Sequence, residues 1–382
     1  MTVRVNKQPF NLREKLLELE RPIGLKGNEL MRSETVQDAR DFLGAGRKNL
    51  IINGAMEIAQ RATSVTGSQS ASAYLTVDRF ANHGSGGTYN SSQETVPNGG
   101  MPGLPIKFKK YFKFDVTTGA NNCGVWQTIE DVRTVQGLHT YSFYARGTNP
   151  SSGHYELDFR QYFGGGGSST TELTYDDIVL TSDWQRYTFT FTPDSLSGKT
   201  VGSNSYFRIF LRQPTADNTT NAYSFEITGV QLEAGGNATE FEHRSYAEEL
   251  TLCKRYYQRW NGNDPDFNTY DTSGNRQGQT SVARATMIAH GHVHDPDDAN
   301  VSMMLDVEMR DNPTVVLPSG NNSIRLMTGP AIYDNATSVQ ENNCSRNILS
   351  IFVDNGGAMT ANQPSSLILR DSNSYLALDA EL

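Results

Sequence analysis

Asn49-Leu50-Ile51-Ile52-Asn53-Gly54-Ala55-Met56-Glu57-Ile58-Ala59-Gln60-Arg61 opens a long block that closes with Val230-Gln231-Leu232-Glu233-Ala234-Gly235, followed by Phe241-Glu242-His243-Arg244-Ser245-Tyr246. Between these two motifs apolar and polar residues alternate or nearly alternate. Examples are Tyr141-Ser142-Phe143-Tyr144-Ala145-Arg146, Tyr187-Thr188-Phe189-Thr190-Phe191, Tyr206-Phe207-Arg208-Ile209-Phe210-Leu211 and Ser224-Phe225-Glu226-Ile227. Period two is the signature of half-buried strands. Turn clusters separate them at Gly84-Ser85-Gly86-Gly87, Pro97-Asn98-Gly99-Gly100, Gly147-Thr148-Asn149-Pro150 and Gly164 to Gly167. The pattern predicts a β-sandwich over residues 49–243.

Upstream, residues 1–48 read as a helical leader. Asn11 and Glu14 have capping-box spacing ahead of Leu12, Leu16 and Leu19, and Pro22 ends the stripe. Thr35 and Asp38 cap a second short helix that Gly44 stops. Helices this short need a partner surface, either their own β-domain or another chain. Downstream, Ser245-Tyr246-Ala247-Glu248 is a capping box, and Tyr246, Leu250, Cys253, Tyr257 and Trp260 follow at heptad-like spacing. This predicts a linker helix over 244–260, with Trp260 sealing a domain junction. Residues 261–382 return to strand patterns, as in Ile348-Leu349-Ser350-Ile351-Phe352-Val353 and Tyr375-Leu376-Ala377-Leu378-Asp379-Ala380. The fold class expected is therefore mainly β: two β-sandwiches, preceded by a helical leader and joined by one helix, for which the resemblance described below implies a jelly-roll form.

Composition agrees. The 382 residues exceed what one sandwich needs, only 20% are charged, and Tyr and Phe number 17 each. A net charge of −9 with no long basic run argues against nucleic acid and anionic membrane as partners. Cys123, Cys253 and Cys344 lie too far apart for a zinc knuckle or a disulfide framework, and are expected to be buried thiols. No stretch approaches the roughly 20 apolar residues of a membrane span, and Met1 to Lys7 lacks the apolar run of a signal peptide, so synthesis in a cytoplasm is expected.

Several segments carry a resemblance. Asn49 to Gly54 with Glu57, the strand Tyr141 to Arg146, Asp183-Trp184-Gln185-Arg186-Tyr187-Thr188-Phe189-Thr190-Phe191, and Ile227-Thr228-Gly229 leading into Val230 to Glu233 resemble carbohydrate-binding modules of the jelly-roll class, over about half the chain. Tyr74 to Phe80, Phe241 to Trp260, Met309-Arg310-Asp311-Asn312-Pro313-Thr314, Tyr375 to Leu382 and Gly27 to Arg32 are more similar to tail-fibre and other structural proteins of tailed, cyanophage-like bacteriophages. That resemblance implies a homotrimer within a virion, joined to other tail or capsid proteins through its leader and attached to a host surface glycan. The likeness to carbohydrate-binding modules also implies a structural calcium held by Glu57 and a closing-strand Asp, but Thr228 or Gly229 stands where that Asp belongs, which puts the ion in doubt.

A sugar site asks for aromatic platforms flanked by side chains that reach hydroxyl pairs. The candidates are Tyr155, Phe159, Arg160, Gln161 and Tyr162 on one strand and Trp126 with Gln127 and Glu130 on another, although Tyr155, Phe159 and Tyr162 cannot share one face at period two. Trp184 reads as a packing residue. His290-Gly291-His292-Val293-His294 places three imidazoles on one strand face, roughly 7 Å apart. Within one chain that is too wide for one ion, but pairs from three chains could hold a transition metal on a trimer axis. There is no Gly-x-Ser-x-Gly elbow, no His-Glu-x-x-His and no phosphate-binding loop, and the neighbouring pairs Asp176 with Asp177 and Asp297 with Asp298 read as loop charges. The expectation is a non-enzymatic trimeric tail fibre. A capsid-decoration or tail-adaptor protein without glycan binding is the alternative, and a polysaccharide depolymerase the third reading.

Overall fold

The computed structural model describes residues 48–69, 72–118, 121–214, 221–261, 286–318, 324–328, 331–333, 338–341, 344–354, 359–369 and 374–382. The expected helical leader falls outside them, apart from Lys48. Numbered along the chain, the first sandwich has two six-stranded antiparallel sheets. One runs β1 (Ser64–Ser68), β4 (Thr88–Thr95), β5 (Lys110–Thr118), β12 (Tyr223–Ala234), β7 (His139–Gly147), β10 (Gln185–Phe191). The other runs β2 (Ala73–Tyr74), β3 (Ala81–Ser85), β6 (Asn121–Glu130), β11 (Tyr206–Arg212), β8 (Tyr155–Tyr162), β9 (Thr171–Ile178). Phe112, Phe114, Phe143, Phe225 and Ile227 of the first sheet meet Val125, Leu157, Phe159, Phe207 and Ile209 of the second, and all are buried. These are alternate residues of their strands, so the period-two pattern becomes a core between two sheets.

The opening and closing motifs are one hydrogen-bonded unit. Asn49 donates from Nδ2 to the Val230 carbonyl (3.0 Å) and accepts from the Ile51 and Leu232 amides (2.9 and 3.0 Å). Asn53, at φ 60°, donates to the carbonyls of Ile58 and Asp78 (2.8 and 2.9 Å) and accepts from the Ile58 amide (3.0 Å). Asparagine tolerates this left-handed backbone better than most residues, and its amide satisfies a turn that no ladder reaches. Gly54 is required by proximity, since a Cβ there would lie 2.1 Å from the Val230 oxygen. Arg244 then ties the closing segment back to the opening one by donating to the carbonyls of Asn49 and Ile51 and pairing with Glu249 (3.2 Å).

Helix α1 (Tyr246–Lys254) begins as expected, with the Ser245 hydroxyl accepting from the Glu248 amide (3.3 Å). It stops earlier than its spacing predicts. Tyr257 to Trp260 form a strand, β13 (Tyr257–Asn261), because their backbone groups pair with β22 (Tyr375–Asp379) and Trp260 packs on the second core. The second sandwich therefore starts inside the predicted linker. Its small sheet is β13, β22, β16 (Thr314–Val316). Its large sheet is β18 (Ala331–Tyr333), β17 (Ile324–Thr328), β21 (Pro364–Leu369), β14 (Thr286–Val293), β15 (Asp298–Met304), β20 (Ile348–Asp354), β19 (Ser338–Glu341). Leu376 and Leu378 meet Val301, Ile351 and Leu367 between them. Cys123 and Cys253 are buried free thiols, whereas Cys344 is half-buried, its thiol donating to the Ser350 carbonyl (3.0 Å).

The two sandwiches meet at a buried charge cluster. Arg79 is 1% exposed; it pairs with Glu381, donates to the Thr128 carbonyl (2.8 Å) and lies 3.4 Å from the centre of the Tyr256 ring. Arg61 pairs with Asp379 (3.0 Å) and Glu381 (3.4 Å) and stacks 3.7 Å over Tyr257. Burial opposes charge on Arg79, but Glu381 together with Tyr256, Tyr74 and Cys253 outweighs it and raises the guanidinium above its ordinary value. Removing one partner strands the other charge, so Glu381→Gln is expected to lower the stability of the full chain by about 3–5 kcal/mol. Urea denaturation measures this, and a loss below about 1 kcal/mol would show that the pair does not hold the junction.

Candidate functional site

The two outer faces of the first sandwich differ. Part of that of the first sheet is covered by a second small core, in which Val96, Leu104, Phe108, Tyr111 and Trp184 are buried with Phe241 against them. Trp184 meets Tyr111 edge to face at 5.6 Å, in keeping with a packing role. On the outer face of the second sheet Thr128, Phe210 and Asp158 are buried, whereas Trp126, Arg160, Arg208, Tyr206 and Tyr162 reach the surface. The registers β6–β11–β8–β9 place them in rows: Trp126, Phe210, Asp158, Thr174; then Thr128, Arg208, Arg160, Glu172; then Glu130, Tyr206, Tyr162. The first and third rows are four residues apart along β11, roughly 13 Å. That is room for more than one sugar ring.

Aromatic groups mark both ends of the face. Trp126 is half-buried, with Phe210 edge to face at 5.1 Å and His83 tilted at 5.0 Å. Tyr162, 37% exposed, stacks on Tyr206 at 4.6 Å. Between them Arg208 lies 4.8 Å from the Trp126 ring centre and 5.4 Å from that of Phe210. Burial lowers the Arg208 pKa from its ordinary value, and the neighbouring Arg160 cation lowers it further. The carboxylates of the face are each held by an arginine: Asp158 and Glu156 by Arg212 (both 2.7 Å), Glu172 by Arg160, and Glu130 by Arg255 (2.8 Å). The Thr174 hydroxyl also donates to Asp158 (2.9 Å).

Of the sequence candidates, the fold brings Trp126, Glu130, Arg160 and Tyr162 to this face. It turns Tyr155, Phe159, Gln161 and Gln127 away. Tyr155 and Phe159 are core residues, 0% and 3% exposed, and Phe159 stacks on Phe191 at 3.8 Å. Gln161 is buried, donating to the Asp194 carbonyl (3.0 Å) and accepting from Thr171 (2.7 Å). Gln127 is spent on the opening motif, exchanging bonds with the Ile52 backbone (2.9 and 2.8 Å). The physical reason is parity: on β8 the odd-numbered residues face inward, so Tyr155, Phe159 and Gln161 cannot share a surface with Arg160. Sequence patterning alone does not single out Arg208, Phe210 and Tyr206 as site residues. The signal was in their strand, where Phe207, Ile209 and Leu211 take the core parity and leave the even positions for the outer face.

His290, His292 and His294 lie at the exposed surface of the large sheet and in the turn after β14. His290 shares a hydrogen bond with Ser366 (3.1 Å), and His294 meets Phe352 at 5.8 Å. Among the described residues no three His, Cys, Asp or Glu side chains converge within the chain to hold a metal ion. At the expected calcium position Gly229 offers no side-chain ligand, and the buried Thr228 hydroxyl donates to the Lys110 carbonyl (2.9 Å).

No family model matches the chain, and no curated relative does. Solved structures do. They include a family 16 carbohydrate-binding module (17% identity, 48% of this chain and 99% of that one, TM-score 0.26). A xylan-binding domain from Paenibacillus barcinonensis matches at 11% identity, over 51% of this chain and 100% of that one, with a TM-score of 0.27. The enzymatically active domain of tailspike protein 4 from bacteriophage CBA120 matches at 14% identity, over 48% of this chain and 21% of that one, with a TM-score of 0.29.

Core and face should separate in mutagenesis. Phe159→Ala is expected to cost about 3–5 kcal/mol by chemical denaturation. Tyr162→Ala on the outer face is expected to cost no more than about 1 kcal/mol. Equal costs would mean that the two parities are misassigned.

Proposed function

We propose that this chain is a non-enzymatic virion protein, a trimeric tail fibre of a tailed bacteriophage, that binds a host surface glycan on the outer face of β6, β11 and β8. One observation carries the binding role. The face presents Trp126, Tyr206 and Tyr162 beside Arg208 and Arg160, all of them at least partly exposed, in adjoining rows of one sheet. Aromatic surface pairs with the apolar faces of pyranose rings, and the interleaved charged groups reach their hydroxyls. Three copies of one modest site per fibre would convert weak contacts into firm attachment.

The non-enzymatic reading is supported by the state of the carboxylates. Polysaccharide hydrolysis needs a carboxylic acid able to give up a proton beside a second carboxylate. On this face Asp158, Glu156, Glu172 and Glu130 are committed to arginine partners. The virion setting rests on the resemblance of the Tyr74–Phe80 and Phe241–Trp260 segments to phage structural proteins, and the trimer on the same likeness.

Trp126→Ala and Tyr206→Ala are expected to weaken adsorption of the fibre to host cells by at least about ten-fold, with little change in melting temperature. Host surface polysaccharide incubated with the protein is expected to keep its chain length, and sedimentation to give three times the chain mass. Undiminished adsorption by both variants would remove this face as the binding site, and shortened polysaccharide would replace the reading with a depolymerase.

A further inference from the structure

Arg208 is the unusual residue of this face. It sits directly opposite Arg160 in the β11–β8 register, with Thr128 on its other side in β6. Like charges facing each other across two strands repel. Arg160 has Glu172 as a counter-ion, on the adjacent strand β9. Arg208 has none: among the described residues its guanidinium rests on the rings of Trp126 and Phe210 and its Nε is buried without an acceptor. The Nε of Arg160 is likewise buried without one.

The charges nearby do not repair this. Arg160, Arg208 and Arg212 stand against Glu156, Asp158 and Glu172, and as a set they balance. Their distribution is uneven, however, because Arg212 alone engages both Glu156 and Asp158. Asp158 and Glu172 offset part of the field at Arg208, yet burial and the Arg160 cation still prevail there. A half-buried guanidinium held beside another cation, with no acceptor of its own, is costly unless something arrives to share its charge.

We propose that the face takes an anionic saccharide, one bearing a carboxylate or a sulfate, with the anionic group received by the guanidinium ends of Arg208 and Arg160. This rests on the glycan-binding reading above and narrows it. A sugar hydroxyl could accept hydrogen bonds from the two arginines but would leave their repulsion in place. An anion does both, and the planar fork of a guanidinium matches a carboxylate or sulfate edge. Trp126 and the Tyr162–Tyr206 pair, on either side of the arginine row, would then seat the uncharged parts of the same chain.

The test uses the full chain on an array of microbial saccharides, acidic and uncharged, followed by titration calorimetry of the strongest ligand against its carboxyl-reduced or desulfated counterpart. The acidic form is expected to bind at least about ten-fold tighter, and the preference to shrink as salt is raised, since ions screen the contact. Arg208→Gln and Arg208→Met, the latter keeping an apolar stem on Trp126, are both expected to reduce that preference to about three-fold or less while sparing the uncharged form. Strongest ligands that carry no charge, or an acid preference untouched by either variant, would overturn the inference and leave the glycan reading standing. Absence of binding to every saccharide would overturn both.

Discussion

A cation that has lost its water must find its charge answered within the protein, and Arg79 finds it in the other domain. Its guanidinium is enclosed by Glu381, the Tyr256 ring and the Thr128 carbonyl. Those three partners belong to the segment after β22, the turn before β13 and strand β6. One side chain thus joins the end of the second sandwich to the strand of the first that carries Trp126. Arg61, over Tyr257 and paired with Asp379, repeats the arrangement beside it. Such pairs are costly to bury and more costly to break, so they impose a particular docking geometry in a way that an apolar contact of equal area would not.

The candidate face follows from the same β6. With two residues per repeat, a strand in a sandwich has one set of side chains given to the core and one left over. On the first sheet Phe108, Trp184 and Phe241 roof part of the left-over set. On the second, the rings of Trp126, Tyr206 and Tyr162 and the guanidinium groups of Arg208 and Arg160 reach the surface in adjoining rows. That clustering of rings and cations on one surface is what makes the face a candidate site.

Much of this was legible in the chain. The alternation at Tyr206 to Leu211 announces a strand, and Asn49 with Val230 announces the staple that begins and ends the first sandwich. The helix cap at Ser245 was equally plain, because capping is a matter of four consecutive residues. Its end was not. Tyr257 and Trp260 keep helical spacing from Cys253, but a strand more than a hundred positions later claims their backbone groups, and no local pattern reports that. The candidate site divides in the same way. Trp126, Arg160 and Tyr162 were named with neighbours of the opposite parity, Tyr155, Phe159 and Gln161, because an aromatic residue in a strand looks the same from either side.

The sequence by itself determined that this is a β-protein of two sandwiches, with period two in its strands and turns at its glycines, since these depend on neighbours along the chain. It also determined the chemistry on offer: rings, guanidinium groups and amides, without a catalytic motif. Only the tertiary structure decided which parity of β8 and β11 faces outward, which side chains of that face reach the surface, and that Arg208 stands opposite Arg160 with no counter-ion of its own among the described residues. Those outcomes turn on which strands become neighbours, and that choice is made by burying large apolar surfaces between residues far apart in sequence.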